Sequence, residues 1–144
     1  MGYNALAANT TKGQNIAIGR DALAVQTDGG EFNVAVGTYS LDENTYGDRN
    51  VAIGYVALGK NTEASYNTGI GTESLKLTTT GANNTALGNS AGDVISTGSQ
   101  NVLLGASTDP SANDGTNQTV VGYNATGQAN NSVTLGNADV TAVY

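Results

Sequence analysis

Apolar and polar positions alternate in short runs that return along the whole chain. The runs are Ile16-Ala17-Ile18, Val34-Ala35-Val36, Val51-Ala52-Ile53, Thr68-Gly69-Ile70, Thr85-Ala86-Leu87, Val102-Leu103-Leu104, Thr119-Val120-Val121 and Val133-Thr134-Leu135. In each run the first position is β-branched, the last is aliphatic, and the one between is mostly small. Period-two runs rich in Val, Ile and Thr predict short strands. A glycine follows every run, at Gly19, Gly37, Gly54, Gly71, Gly88, Gly105, Gly122 and Gly136, with Gly2 as an earlier member. The intervals from Gly2 onward are 17, 18, 17, 17, 17, 17, 17 and 14 residues. The single 18 is explained by one extra residue in the turn Asp28-Gly29-Gly30. A beat this regular marks a repeat architecture in which each unit stacks on the next.

An asparagine heads most units: Asn15, Asn33, Asn50, Asn67, Asn84 and Asn101. A second, more polar run follows each glycine, starting at Leu23, Leu41, Leu58 or Leu75, and reads as a second short strand or extended edge. No stretch carries a helical stripe free of Gly and Asn. Seventeen residues then make two short strands and two turns, one coil of a narrow all-β parallel β-solenoid. Stacked coils lie about 4.8 Å apart, so eight or nine give a rod on the order of 40 Å long. The aliphatic residue before each glycine (Ile18, Val36, Ile53, Ile70, Leu87, Leu104, Val121, Leu135) is expected to form the interior ladder. The glycines supply the turns. The heading asparagines are expected to form an amide ladder. Residues 1–127 form the solenoid of seven to eight 17-residue repeats, and 128–144 a final 14-residue repeat with a C-terminal extension. Such a narrow coil encloses little, and small cores are often supplemented by oligomerisation. A homotrimer is therefore expected, with head-to-tail stacking of end coils as a further form of self-association.

Composition narrows the function classes. Leu, Ile, Val and Phe make up about a fifth of the 144 residues, yet charged residues are only 12%. Gly, Asn, Thr, Ala and Ser fill the difference, which suits turns and narrow interiors. The net charge is −7, with Lys12, Arg20, Arg49, Lys60 and Lys76 the only cations, so nucleic acid is not an expected partner. No apolar run is long enough to insert into a membrane. No basic and apolar leader opens the sequence, and Met1 falls inside a repeat, which points to a natural start further upstream.

With no His and no Cys, the commonest general base and strongest nucleophile are missing, and no enzyme activity is expected. The one adjacent acidic pair, Asp42/Glu43, reads as a solvated turn. Neither a metal nor a cofactor is expected: the acidic turns at Asp28–Glu31 and Asp109–Asp114 do not recur on the 17-residue beat as a calcium β-roll would require. Tyr3, Tyr55 and Tyr123 share one line along the rod and read as amphipathic turn covers, with sugar stacking as the sharper reading. Thr10, Thr45, Thr62 and Thr79 read as a ladder stabilised by hydroxyl bonding rather than as an ice-binding face.

The phrase NVAIG at this spacing, with the closing SVTLG at an interval of 14, resembles the head repeats of trimeric autotransporter adhesins. The longer form, GYNAL with NTT, GQN, AIG and AL followed by NT, looks still more like repeats of phage tail-fibre and tailspike proteins, where a segment like NNSVTLGNADVTAVY often precedes a C-terminal chaperone or tip domain. The resemblance covers essentially the whole chain and implies a left-handed, trimeric β-roll. It also implies a structural fibre segment that projects a receptor-binding tip or adhesive surface, on a virion tail or at a cell surface. The 17-residue period and the lack of a collar, stalk or anchor put a bacterial adhesin head second, beside a self-assembling extracellular filament subunit. A cell-surface glycan or protein receptor stays open as an outside partner.

Overall fold

The computed structural model describes residues 2–9, 13–26 and 29–142. Eight strands follow in chain order: β1 (Ile16–Ile18), β2 (Val34–Val36), β3 (Val51–Ile53), β4 (Thr68–Ile70), β5 (Thr85–Leu87), β6 (Val102–Leu104), β7 (Gln118–Val121) and β8 (Ser132–Leu135). They form a single parallel sheet in sequence order. Ile16 pairs with Val34, Val34 with Val51 and Val51 with Thr68, so each coil lies directly on the next. The register persists after the Gly29-Gly30 insertion and through the shorter last unit, where Gln118 pairs with Ser132. This is an all-β parallel solenoid with coils of 17 residues, and no helix occurs among the described residues. Seven inter-strand steps give the sheet a length of about 34 Å.

The return path of each coil is turns, not a second strand. The chain after each strand takes left-handed backbone at alternating residues: Tyr39 and Leu41, Val56 and Leu58, Glu73 and Leu75, all with φ between 51° and 59° except Leu41 at 50°. Such backbone cannot extend into a strand. Successive coils are still tied together by backbone bonds, as where Leu58 N–H donates to the Ser74 carbonyl at 3.0 Å.

The core differs from the expected ladder. A three-residue strand turns its middle side chain one way and its outer two the other. The middle residues Ala17, Ala35, Ala52, Ala86, Leu103 and Val120 face inward and are buried. Opposite them sit Leu23, Leu41, Leu58 and Leu75, all with no exposed surface. The residues expected inside (Ile18, Val36, Ile53, Ile70, Leu87, Leu104, Val121 and Leu135) are exposed or half-exposed on the outer face. Ile18 is 50% and Leu87 51% exposed. Leucines from the turn segment supply the bulk that a strand ladder was expected to provide, and small residues on the strand make room for them.

The glycines after the strands sit where they were expected. Gly54 has φ 143°, and a methyl group added there would lie 2.3 Å from the Gly71 carbonyl oxygen. Both the left-handed backbone and the close stacking exclude a side chain. The asparagines do form a ladder, but largely through the backbone. Asn50 N–H donates to Asn33 Oδ1, and Asn50 Nδ2 donates to the Ala64 carbonyl, each at 2.8 Å. Asn67, Asn84 and Asn101 repeat both bonds. Asn15, half-buried at the first coil, accepts from Asn33 N–H and donates to Gly30. Each buried amide thus joins the strand to the opposite turn of its own coil and to the coil before it. Satisfying buried polar groups in this way keeps a polar interior from being costly.

Candidate interaction face

The outer surface of the sheet is built from two columns. One runs Ile16, Val34, Val51, Thr68, Thr85, Val102, Thr119 and Val133; the other is the aliphatic series from Ile18 to Leu135. Eight strands in register make this an unbroken apolar strip, with Ile53 38% and Leu135 50% exposed. Singly exposed apolar residues are ordinary, but a contiguous strip along a whole sheet marks a surface that associates.

Arginine and aromatic side chains line both edges of the strip at its N-terminal end. On the side following the strands, the Arg20 guanidinium stacks 4.7 Å from the Tyr39 ring centre and also bonds the Tyr39 hydroxyl. Tyr39 meets Tyr55 edge to face at 6.3 Å. On the side preceding the strands, Arg49 lies between Phe32 at 4.9 Å and Tyr66 at 5.5 Å, and donates to the Tyr66 hydroxyl at 3.3 Å. Cation–π stacking of this kind holds extended side chains in place. Phe32, Arg49 and Tyr66 all carry left-handed backbone, with φ from 54° to 62°.

Tyr55 belongs to the first of these edges, while Tyr3 and Tyr123 stand apart from it, each more than 70% exposed. The threonine ladder is internal: Thr45, Thr62 and Thr79 donate their hydroxyls to the carbonyls of Thr62, Thr79 and Ser96. Thr10 lies outside the described residues, as do Lys12 and Asp28. In the Asp42/Glu43 pair, Glu43 bonds Lys60 one coil on. Asp42 is half-buried, and that burial, with the charge of Glu43, raises its carboxyl to about 6. Burial also raises Asp109 to about 6, with Asp93 adding to it. Among the described residues, no three acidic side chains converge as a metal site. An open polar groove of about 520 Å³ lies where the last coil shortens, lined by Asn124, Thr126, Gln128, Thr134, Asn137 and Asp139 among others. No helix among the described residues is long and apolar enough to cross a membrane.

Comparison with protein-family models, curated proteins and solved structures gives no match. The physical features of the rod therefore carry the functional argument.

The sequence reading did not anticipate the two arginine–aromatic edges. Their signal was present in the alignment of units: Phe32, Arg49 and Tyr66 are 17 residues apart, as are Tyr39 and Val56. Stacking at this period brings such residues side by side.

Proposed function

We propose that this chain is a structural fibre segment, part of a phage tail fibre or a related extracellular appendage, that assembles as a homotrimer through its apolar sheet face. The observation that carries this reading is the exposed strip from Ile16 and Ile18 to Val133 and Leu135. Three flat faces turned toward a common axis bury such strips together, and burial of apolar surface is the main driving force for association. The arginine and tyrosine edges have the composition found at protein interfaces. The role is mechanical: a rod holds a receptor-binding or adhesive element away from a particle or cell, on a virion or at a cell surface. No chemistry is assigned to it.

The test is the solution mass at micromolar concentration, by light scattering. A species of three times the 14.4 kDa chain mass supports the reading. A monodisperse monomer overturns it. Ile53→Asp, which puts a charge at the centre of the face, should convert the trimer to folded monomers.

A further inference from the structure

We propose that Asp109 is an acid-operated clasp, holding the coils of β6 and β7 together when its carboxyl is protonated and loosening them when it ionises. This is independent of whether copies associate.

The geometry starts from register. The amides of Leu23, Leu41, Leu58, Leu75, Gly92 and Asp109 each bond the carbonyl of the corresponding residue one coil on. Asp109 therefore occupies the chain position that leucine holds in four earlier coils. Its own backbone is a junction: Asp109 N–H donates to the Ala125 carbonyl at 3.0 Å, and Gly127 N–H donates to the Asp109 carbonyl at 2.8 Å. Asp109 and Thr126 form a parallel bridge outside the main sheet. The side chain is partly buried, and its Oδ1 is enclosed with no hydrogen-bond partner.

A protonated carboxyl tolerates such a place, since it carries no charge. An ionised one does not, because a buried charge needs compensation. The groups acting on it are few. Asp93, from the preceding coil, repels its charge, and the Val94 backbone N–H favours it. Asp93 is itself influenced by Glu73 and Lys76 and hydrogen-bonded by Ser90. From the following coil it meets the neutral Thr126. No cation is among the groups acting directly on Asp109.

The direction follows from linkage. The folded chain holds its proton up to about pH 6, whereas an unfolded aspartate releases it near 3.8. The folded state thus binds more protons between those values, and the junction is strengthened as pH falls through that window. The strengthening is complete below about pH 4 and lost as pH rises through 6.

Hydrogen exchange of the full chain, corrected for intrinsic exchange rates, tests this segment by segment. Amides of residues 108–127 should open several-fold less often at pH 5 than at pH 7.5, under a ceiling of about a hundred-fold for two pKa units. Asp109→Asn keeps the shape and cannot titrate. It should abolish the acid response of 108–127 while leaving the response around Asp42 in place. If the variant retains the full response at 108–127, the proposal fails. Should Asp109→Asn not fold, the wild-type chain still decides by carboxyl NMR: a midpoint near 6 for Asp109 supports the clasp, and one near 4 overturns it.

Discussion

The N-terminal and C-terminal coils fill the same narrow interior in opposite ways. Around β1 to β4, the turn segment supplies a large residue (Leu23, Leu41, Leu58, Leu75) and the strand a small one (Ala17, Ala35, Ala52, Gly69). From β5 onward the sizes begin to change sides. The leucine position becomes Gly92 and then Asp109, while the strand's inward residue becomes Leu103 and then Val120. The exchange is direct: a methyl group added at Gly92 would lie 2.6 Å from Leu103 Cδ1 and 3.4 Å from Ile95 Cδ1. What is held constant is the filled cross-section, not the residue at any position, as close packing demands. The surfaces differ as well. At the left-handed positions beside the sheet, the N-terminal coils place Phe32, Tyr39, Arg49, Val56 and Tyr66, while the C-terminal coils place Asn83, Ser90, Gln100, Ser107 and Asn117. Small polar residues, asparagine above all, tolerate this backbone better than bulky ones. The N-terminal coils accept strain that the C-terminal coils avoid, and the strained residues include those that border the proposed interface.

The largest expected effect separates the two apolar columns of the N-terminal coils. Leu58→Ala should cost about 2–5 kcal/mol in urea unfolding, because it empties a fully buried site. Ile53→Ala should leave the fold of the single chain within about 0.5 kcal/mol and instead weaken association. Equal costs measured at low concentration would return Ile53 to the core. Next comes the exchange of sizes. Leu103→Ala alone should be destabilising by a similar 2–5 kcal/mol. Combined with Gly92→Leu it should recover most of that loss, since Gly92 has φ 67°, near the 50–52° of the earlier leucines. A double variant no better than the single one would break the comparison.

A smaller effect concerns backbone strain. Val56 is β-branched with φ 56°, and Val56→Asn should raise stability by about 0.5–1 kcal/mol. The reverse change in the C-terminal coils, Ser107→Val, should lower it by a similar amount. Smallest is the pH response shared by the two regions. Asp42 and Asp109 are both raised to about 6, chiefly by burial. Their protonated forms are favoured by folding, so melting temperature should rise between pH 7.5 and 5. Each is about half-exposed, and solvent screening keeps the contribution of Asp42 below about 1 kcal/mol. A melting temperature that falls over this interval would contradict the burial of both groups.

The period, the eight strands, the parallel register, the glycine turns and the asparagine ladder were all legible in the sequence, because each repeats at a fixed spacing. The choice of interior column was not. Ile18 and Ile53 look like core residues by hydrophobicity, and Ala52 does not; only the three-residue strand length and the leucine two residues into the αL turn decide which side is enclosed. The predicted second strand failed for a related reason. A bulky residue such as Tyr39 or Leu58 gives no sequence sign that it will adopt left-handed backbone, which packing imposes here. On the proposed interaction face, both apolar columns were visible as runs but assigned to the wrong side, and the arginine–aromatic edges emerge only when coils are laid over one another.

The exchange of sizes near Gly92 also bears on how such a rod changes length over evolutionary time. Within the N-terminal stretch every coil rests on one of its own kind, so gaining or losing a whole 17-residue unit there joins like surfaces. Past Gly92 each coil fits only its particular neighbours. Losing the unit that contains Gly92 and Leu103 would seat leucine-bearing coils directly on the one holding Asp109 and Val120. The molecule thus combines an extensible part with a terminus of fixed order, and the seam between them lies between Leu75 and Leu103.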